Sequence, residues 1–173
     1  MPDAKQSAYT VMTLSEWMSK HGYDLDDVVI ALDEIFGLPK PEATAIYLEE
    51  EIEHQARLLL FLERDEIQAI AGWRWTLHAD HLEVYFGVRL ENTDPDLRYE
   101  VIGAITARLE AERIRSNHAQ VRYALLQYSP IDRQMSQACL DLGCQPCKEI
   151  NTFFKDHLGT RWSLRSMRLP FTD

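Results

Sequence analysis

His81-Leu82-Glu83-Val84-Tyr85-Phe86-Gly87-Val88-Arg89-Leu90 is rich in β-branched and aromatic side chains, and this composition predicts a strand. Asn92-Thr93-Asp94-Pro95-Asp96 follows. It is turn chemistry that also starts a helix, because Asp or Thr can cap and proline fits the first turn. From Leu97 onward, Val101, Ile102, Ile105 and Leu109 recur at helical spacing and give a helix over 96–117 one buried face. A strand that feeds a helix N-terminus through a short loop presents unpaired N–H groups and the positive end of a dipole, a physical site for a pyrophosphate. Beyond the helix, residues 120–128 read as a strand returning parallel to the first; such crossovers are right-handed almost without exception.

Working outward, residues 8–14 alternate enough for a first strand, and Ser15 is expected to cap a helix that ends near Gly22. Val28, Val29, Leu32, Ile35 and Phe36 keep a helical period over 25–36, and Gly37-Leu38-Pro39 stops it. A further helix is expected over 42–55. Residues 57–63 and 67–77 read as a hairpin around Arg64-Asp65-Glu66, and the 82–90 strand continues the meander. Pro130-Ile131-Asp132 opens a last helix closed by Gly143, and strands over 148–155 and 161–169 finish the chain.

The chain has 173 residues, 46% hydrophobic and 27% charged, which matches one ordinary globular domain spanning 1–173. No run approaches the roughly 18 apolar residues of a membrane span, and the first residues lack a signal peptide's apolar segment. Three cysteines do not make a disulfide framework, so a cytoplasmic protein is expected. The net charge of −10 argues against a nucleic-acid partner, which needs clustered Lys and Arg. It mildly favours cationic substrates such as amines or basic peptides, although acidic surfaces are also simply soluble.

Arg98-Tyr99-Glu100-Val101-Ile102-Gly103-Ala104 resembles the Arg/Gln-x-x-Gly-x-Gly/Ala signature of the GNAT superfamily, the acyl-CoA-dependent N-acyltransferases. Arg98 matches the first position and Gly103 the last; Val101 stands where the family has its first glycine. Ser136-Gln137-Ala138-Cys139-Leu140-Asp141-Leu142-Gly143-Cys144 is similar to the family's Ala-x-x-x-Tyr-x-x-x-Gly-Phe helix end, with Cys139 in place of the tyrosine. The resemblance implies an α/β (α+β) fold with a central, mixed, mostly antiparallel sheet. A parallel pair of strands, here 82–90 and 121–128, would splay apart, with helices on both faces. It implies acetyl-CoA or another acyl-CoA as co-substrate, lying in the wedge between those strands. The pantetheine would pair with the first of them, at Val88 and Leu90. The pyrophosphate would rest on the segment Arg98, Tyr99, Glu100, Val101, Ile102, Gly103 and Ala104. Gly87 is compatible with a bulge that opens the wedge, or with a close backbone approach.

Direct transfer to an amine needs a base for the nucleophile and an acid for the leaving thiolate. Glu83, early on the strand, stands where the family often places its glutamate base; the neighbouring Glu91 sits nearer the acyl end if the loop is short. Tyr128, at the end of the returning strand, is a candidate acid, since Cys139 reads as a small core residue. Asp96 and Glu100 bring negative charge to the same helix start, where they complement the dipole and repel a pyrophosphate. Cys144-Gln145-Pro146-Cys147 lacks further zinc ligands at suitable spacing and does not precede a helix as a redox pair would, so no metal is expected. The turn histidines His78 and His81 and the aromatics Trp73, Trp75, Tyr85 and Phe86 read as a substrate mouth or as cross-strand packing. The leading expectation is an N-acyltransferase acting on a small-molecule amine or a peptide, without nucleic acid or membrane partners; a homodimer is left open. The alternative is a protein of the same fold that binds without catalysing.

Overall fold

The computed structural model describes residues 7–22, 24–36, 57–75, 81–115, 121–129, 132–147, 152–155 and 161–171. The helix expected over 42–55 and the turn residue His78 lie outside the described residues.

Strand β1 (Thr10–Thr13) runs directly into helix α1 (Leu14–His21), and α2 (Asp26–Phe36) follows. Thr13, rather than Ser15, is the N-cap of α1. Its hydroxyl accepts from the Glu16 N–H while the Glu16 carboxylate accepts from the Thr13 N–H at 2.7 Å, a reciprocal capping box that Ser15, two residues later and already helical, cannot make. Gly22 ends α1 at φ +73°, a conformation that costs glycine nothing.

Three strands then form the expected meander: β2 (Arg57–Glu63), β3 (Glu66–Trp75) and β4 (His81–Val88), each antiparallel to the last. The β2–β3 turn puts Arg64 and Asp65 both at positive φ, the twist a two-residue hairpin requires, and Lys20 of α1 holds Asp65 at 3.0 Å. Helix α3 (Pro95–Arg115) crosses to β5 (Tyr123–Tyr128), which lies parallel to β4. Helix α4 (Arg133–Asp141), capped by Asp132, leads to three closing strands: β6 (Gln145–Pro146), β7 (Thr152–Lys155) and β8 (Arg161–Pro170). Sequence alternation shows two closing strands; β6 escapes it because two residues are too few to carry a period.

The sheet order is β1-β2-β3-β4-β5-β8-β6, with β7 pairing the first half of β8. Only β4 and β5 are parallel among the described pairs; the remainder are antiparallel. Alternation along the strands divides the apolar side chains into two cores. Leu82, Val84, Phe86 and Val88 of β4, with Ala124, Leu126 and Tyr128 of β5, pack under Leu97, Val101, Ile102, Ile105 and Leu109 of α3 and Met135, Ala138 and Cys139 of α4. On the other face, Trp17 of α1 and Val28, Leu32 and Ile35 of α2 cover Leu60, Leu62, Ile67 and Ile70 of β2 and β3. That second core ends at β3, so the corresponding face of β4, β5 and β8 is lined differently.

Candidate functional site: the β4–β5 wedge

The parallel ladder runs from His81↔Tyr123 to Tyr85↔Gln127 and stops there. Phe86, Gly87 and Val88 stay paired to β3 on one side while β5 continues paired to β8 on the other, so the two strands part after that rung. The separation needs no bulge at Gly87: the β3–β4 register is unbroken from Trp75↔Leu82 to Ala69↔Val88. The irregularity in this part of the sheet falls instead between Phe61 and Leu62 of β2.

Beyond Val88 the chain leaves the strand, so Leu90 lies in a turn, exposed, rather than on the edge of the wedge. The turn is closely tied. Arg89 N–H donates to the Gln68 carbonyl, Asn92 N–H to the Arg89 carbonyl, and the Arg89 guanidinium pairs with Glu34 of α2. Asn92 Oδ1 accepts from the Asp94 N–H at 3.1 Å, and Asp94 Oδ1 from the Asp96 N–H at 3.0 Å, which sets Pro95 as the first helical residue.

That early start changes the expected phosphate cradle. In a helix beginning at Pro95, every N–H from Tyr99 onward donates to the carbonyl four residues back. The amides of Tyr99, Glu100, Val101, Ile102, Gly103 and Ala104 are therefore inside the ladder. The orphan donors of the first turn belong to Asp96, Leu97 and Arg98, and that of Asp96 is already capped. Val101 and Ile102 turn their side chains into the core, while Gly103 faces open space. Arg98 is 3% exposed; its Nε donates to both oxygens of Asp132 at 3.0 and 3.2 Å, and Nη1 donates to the Asn92 and Asp94 carbonyls. The signature arginine thus joins the start of α3 to the cap of α4, where Asp132 also accepts from the Met135 N–H. Tyr99 donates to Asp141 of α4, and that bond raises the Tyr99 phenol and lowers the Asp141 carboxyl.

The N-terminal segment packs against the same helix start. Ser7 Oγ donates to Glu100 at 2.6 Å and the Tyr9 hydroxyl to Asp94 at 2.8 Å. Burial and the Asp94 acceptor push the Tyr9 phenol up to about 12. Three carboxylates, those of Asp94, Asp96 and Glu100, thus stand around the helix start.

The two candidate catalytic side chains occupy neighbouring strands but leave the sheet on opposite faces. Glu83 is half-buried on the face away from α3, where its Oε2 accepts from the Tyr85 hydroxyl at 3.2 Å. Tyr128, one residue past the last β4–β5 rung, is fully buried on the α3 side, its hydroxyl 2.7 Å from Ser136 Oγ and its ring tilted against Phe86. Trp73 is buried on that side too, its Nε1 donating to Glu112 at 3.0 Å.

Beside Glu83 lie His81, already singled out by sequence, and Tyr123, Arg168 and Gln127, which were not. His81 stacks on Tyr123 with centroids 5.3 Å apart, and the Arg168 guanidinium lies over the Tyr123 ring at 4.3 Å. Gln127 is fully buried on the same face. A lone amide in the otherwise apolar run Ala124-Leu125-Leu126-Gln127 is the signal that would have found it. Cys139 and Cys144 are buried against each other, with the Cys144 N–H on the Cys139 carbonyl at 2.9 Å. The Cys139 thiol is raised by its bond to Cys144 and by burial. Among the described residues no group of three or more His, Cys, Asp or Glu could hold a metal ion, and no helix is long and apolar enough to cross a membrane.

No family model matches the chain, and no curated protein matches its sequence. Solved structures do match its fold. The ribosomal-protein-S18-alanine N-acetyltransferase of Escherichia coli superposes with a TM-score of 0.63 at 13% identity, covering 95% of each chain. The ribosomal L7/L12 α-N-protein acetyltransferase, solved in complex with coenzyme A, gives 0.61 at 9% identity over 94% of each chain. An acetyltransferase of the GNAT family from Streptococcus pneumoniae gives 0.58 at 10% identity, covering 95% of this chain and 99% of that one. With its sheet order, the one parallel pair among its described strands and its helices on both faces, the chain has the GNAT fold, on a sequence far diverged from those acetyltransferases.

Proposed function

We propose that the protein transfers an acyl group from an acyl-CoA thioester to an amine. The observation that carries this reading is the parallel β4–β5 pair that parts after Tyr85↔Gln127, next to a half-buried glutamate. A wedge of this kind leaves the β5-facing backbone edge of Phe86–Val88 free to pair with an amide-bearing chain such as pantetheine. The neighbours of the same fold include protein N-acetyltransferases and a coenzyme A complex, which supports both the donor and an amine or peptide acceptor.

In this reading Glu83 accepts a proton from the acceptor ammonium, directly or through one water, and the freed amine attacks the thioester carbonyl. The C–N bond forms, the C–S bond breaks, and the departing thiolate takes a proton. Tyr128 is the candidate donor, at the first position past the wedge apex. The donor's diphosphate end is the weaker part of the fit, because the first turn of α3 offers few free amides and carries negative charge.

Titration with acetyl-CoA, with competition by CoA, tests the donor site. Glu83→Gln tests the base: turnover is expected to fall about 10²–10⁴-fold, the usual range for a lost general base, with little change in acetyl-CoA affinity. The loss should shrink at high pH, where more of the amine is already deprotonated. Full activity of the variant across that range would remove Glu83 from the mechanism.

One observation favours a second reading, a protein of this fold that binds without catalysing: Arg98 is consumed by Asp132, and three carboxylates ring the helix start. Absence of saturable acetyl-CoA binding would select it.

A further inference from the structure

Gln127 occupies the last rung that joins β5 to β4, between Tyr85 on one side and Ser166 of β8 on the other. Its side chain has no exposed surface, and neither Nε2 nor Oε1 has a hydrogen-bond partner. A carboxamide in that state has given up water at both ends without compensation. Packing does not ask for it. Leu125 fills the same face two residues earlier, and a methionine or leucine would occupy the volume of Gln127 at no polar cost.

Its surroundings are polar in kind. Glu83 lies diagonally across the β4–β5 ladder, since Glu83 pairs with Leu125. Tyr85, bonded to Glu83, stands directly opposite Gln127. An acid and an unpaired amide therefore share one sheet face at the apex of the wedge.

We propose that Gln127 is the specificity residue for the acceptor, and that the acceptor carries a carboxamide or peptide group next to the amine that Glu83 receives. The assignment rests on the acyl-transfer reading. A primary amide both donates and accepts, so it pairs with another amide through two hydrogen bonds, which no ester, alcohol or hydrocarbon reproduces. Gln127 has no exposed surface in the unliganded protein, so relief of the unpaired amide would offset the cost of uncovering it.

Gln127→Met keeps the side-chain length and removes both polar atoms. The two proteins are compared by thermal unfolding and by acetyl transfer from acetyl-CoA to glycinamide and to ethylamine, which differ by a carboxamide against a methyl. The variant should melt higher than the wild type. Its kcat/KM preference for glycinamide over ethylamine should fall about tenfold, the effect of one hydrogen bond of ordinary net strength, with acetyl-CoA affinity unchanged. Reading the ratio in both proteins cancels the difference in amine basicity. A variant less stable than wild type, or an unchanged ratio, overturns the proposal. The melting shift given by glycinamide alone is read beside it. If acetyl-CoA fails to bind, the acyl-transfer reading falls. A glycinamide shift present in wild type and absent in Gln127→Met then still upholds the amide site, and equal shifts remove it.

Discussion

Gly103 stands in the third turn of α3 with its α-carbon facing open space, where an added Cβ would meet nothing within 4 Å. Glycine inside a helix costs about 0.5–1 kcal/mol relative to alanine, so Gly103→Ala should raise the melting temperature by a few degrees. In the acyl-transfer reading, a donor lying at the start of α3 would use that space. Gly103→Trp fills it, and should abolish acetyl-CoA binding while the far-ultraviolet spectrum stays native. Unchanged affinity in the folded variant would put the donor elsewhere. Arg98 shows the opposite relation between residue and role. Its place in the signature suggested a ligand contact, yet its guanidinium is buried on Asp132, 34 residues away in sequence. A pairing over that separation leaves no local trace, which is why motif reading could not assign it.

At the scale of elements, the helix start of α3 is both the clearest and the most misleading part of the chain. The β-branched and aromatic composition of residues 81–90 and the helical spacing from Leu97 to Leu109 placed β4 and α3 within two residues of their observed ends. The Asn92-x-Asp94-Pro95 sequence also spelled out an early helix start, through its two stacked side-chain caps. The repulsion of a phosphate by Asp96 and Glu100 was legible too; what the signature resemblance hid is that Tyr99–Ala104 become helix interior. Removing that charge is informative. With Asp96→Asn and Glu100→Gln together, acetyl-CoA should bind about three- to tenfold more tightly at low ionic strength, and the gain should vanish in high salt. Asp96→Asn also weakens the dipole interaction, worth about 0.3–1 kcal/mol for an acid in the first turn, so the melting temperature should drop slightly. Affinity that ignores both substitutions and salt would mean that no phosphate reaches this helix start.

For the whole molecule, the decisive feature is that two cores lie on opposite faces of one sheet and share no side chain. The face under α3 and α4 is the donor side in the proposed reading, whereas α1 and α2 cover β1, β2 and β3 on the face that Glu83 and Gln127 share. Sequence periodicity found each buried stripe but could not say which stripes meet, because alternation fixes a face only relative to its own strand. The two-core arrangement makes a separable prediction. Leu32, 4% exposed in the α2 core, should cost about 2–5 kcal/mol when cut to alanine, through lost burial and the cavity left behind. A protein of this size has roughly 5–15 kcal/mol to lose, so the variant should still fold. If the α1–α2 layer opens as its own cooperative unit, amide exchange should accelerate in α1 and α2 and stay slow in β4, α3 and β5. Acetyl-CoA affinity should then hold within about twofold, while acceptor saturation weakens, because the acceptor face loses its neighbouring wall. Uniform acceleration across both cores would show that the two faces melt together, and that donor and acceptor sites cannot be tuned apart.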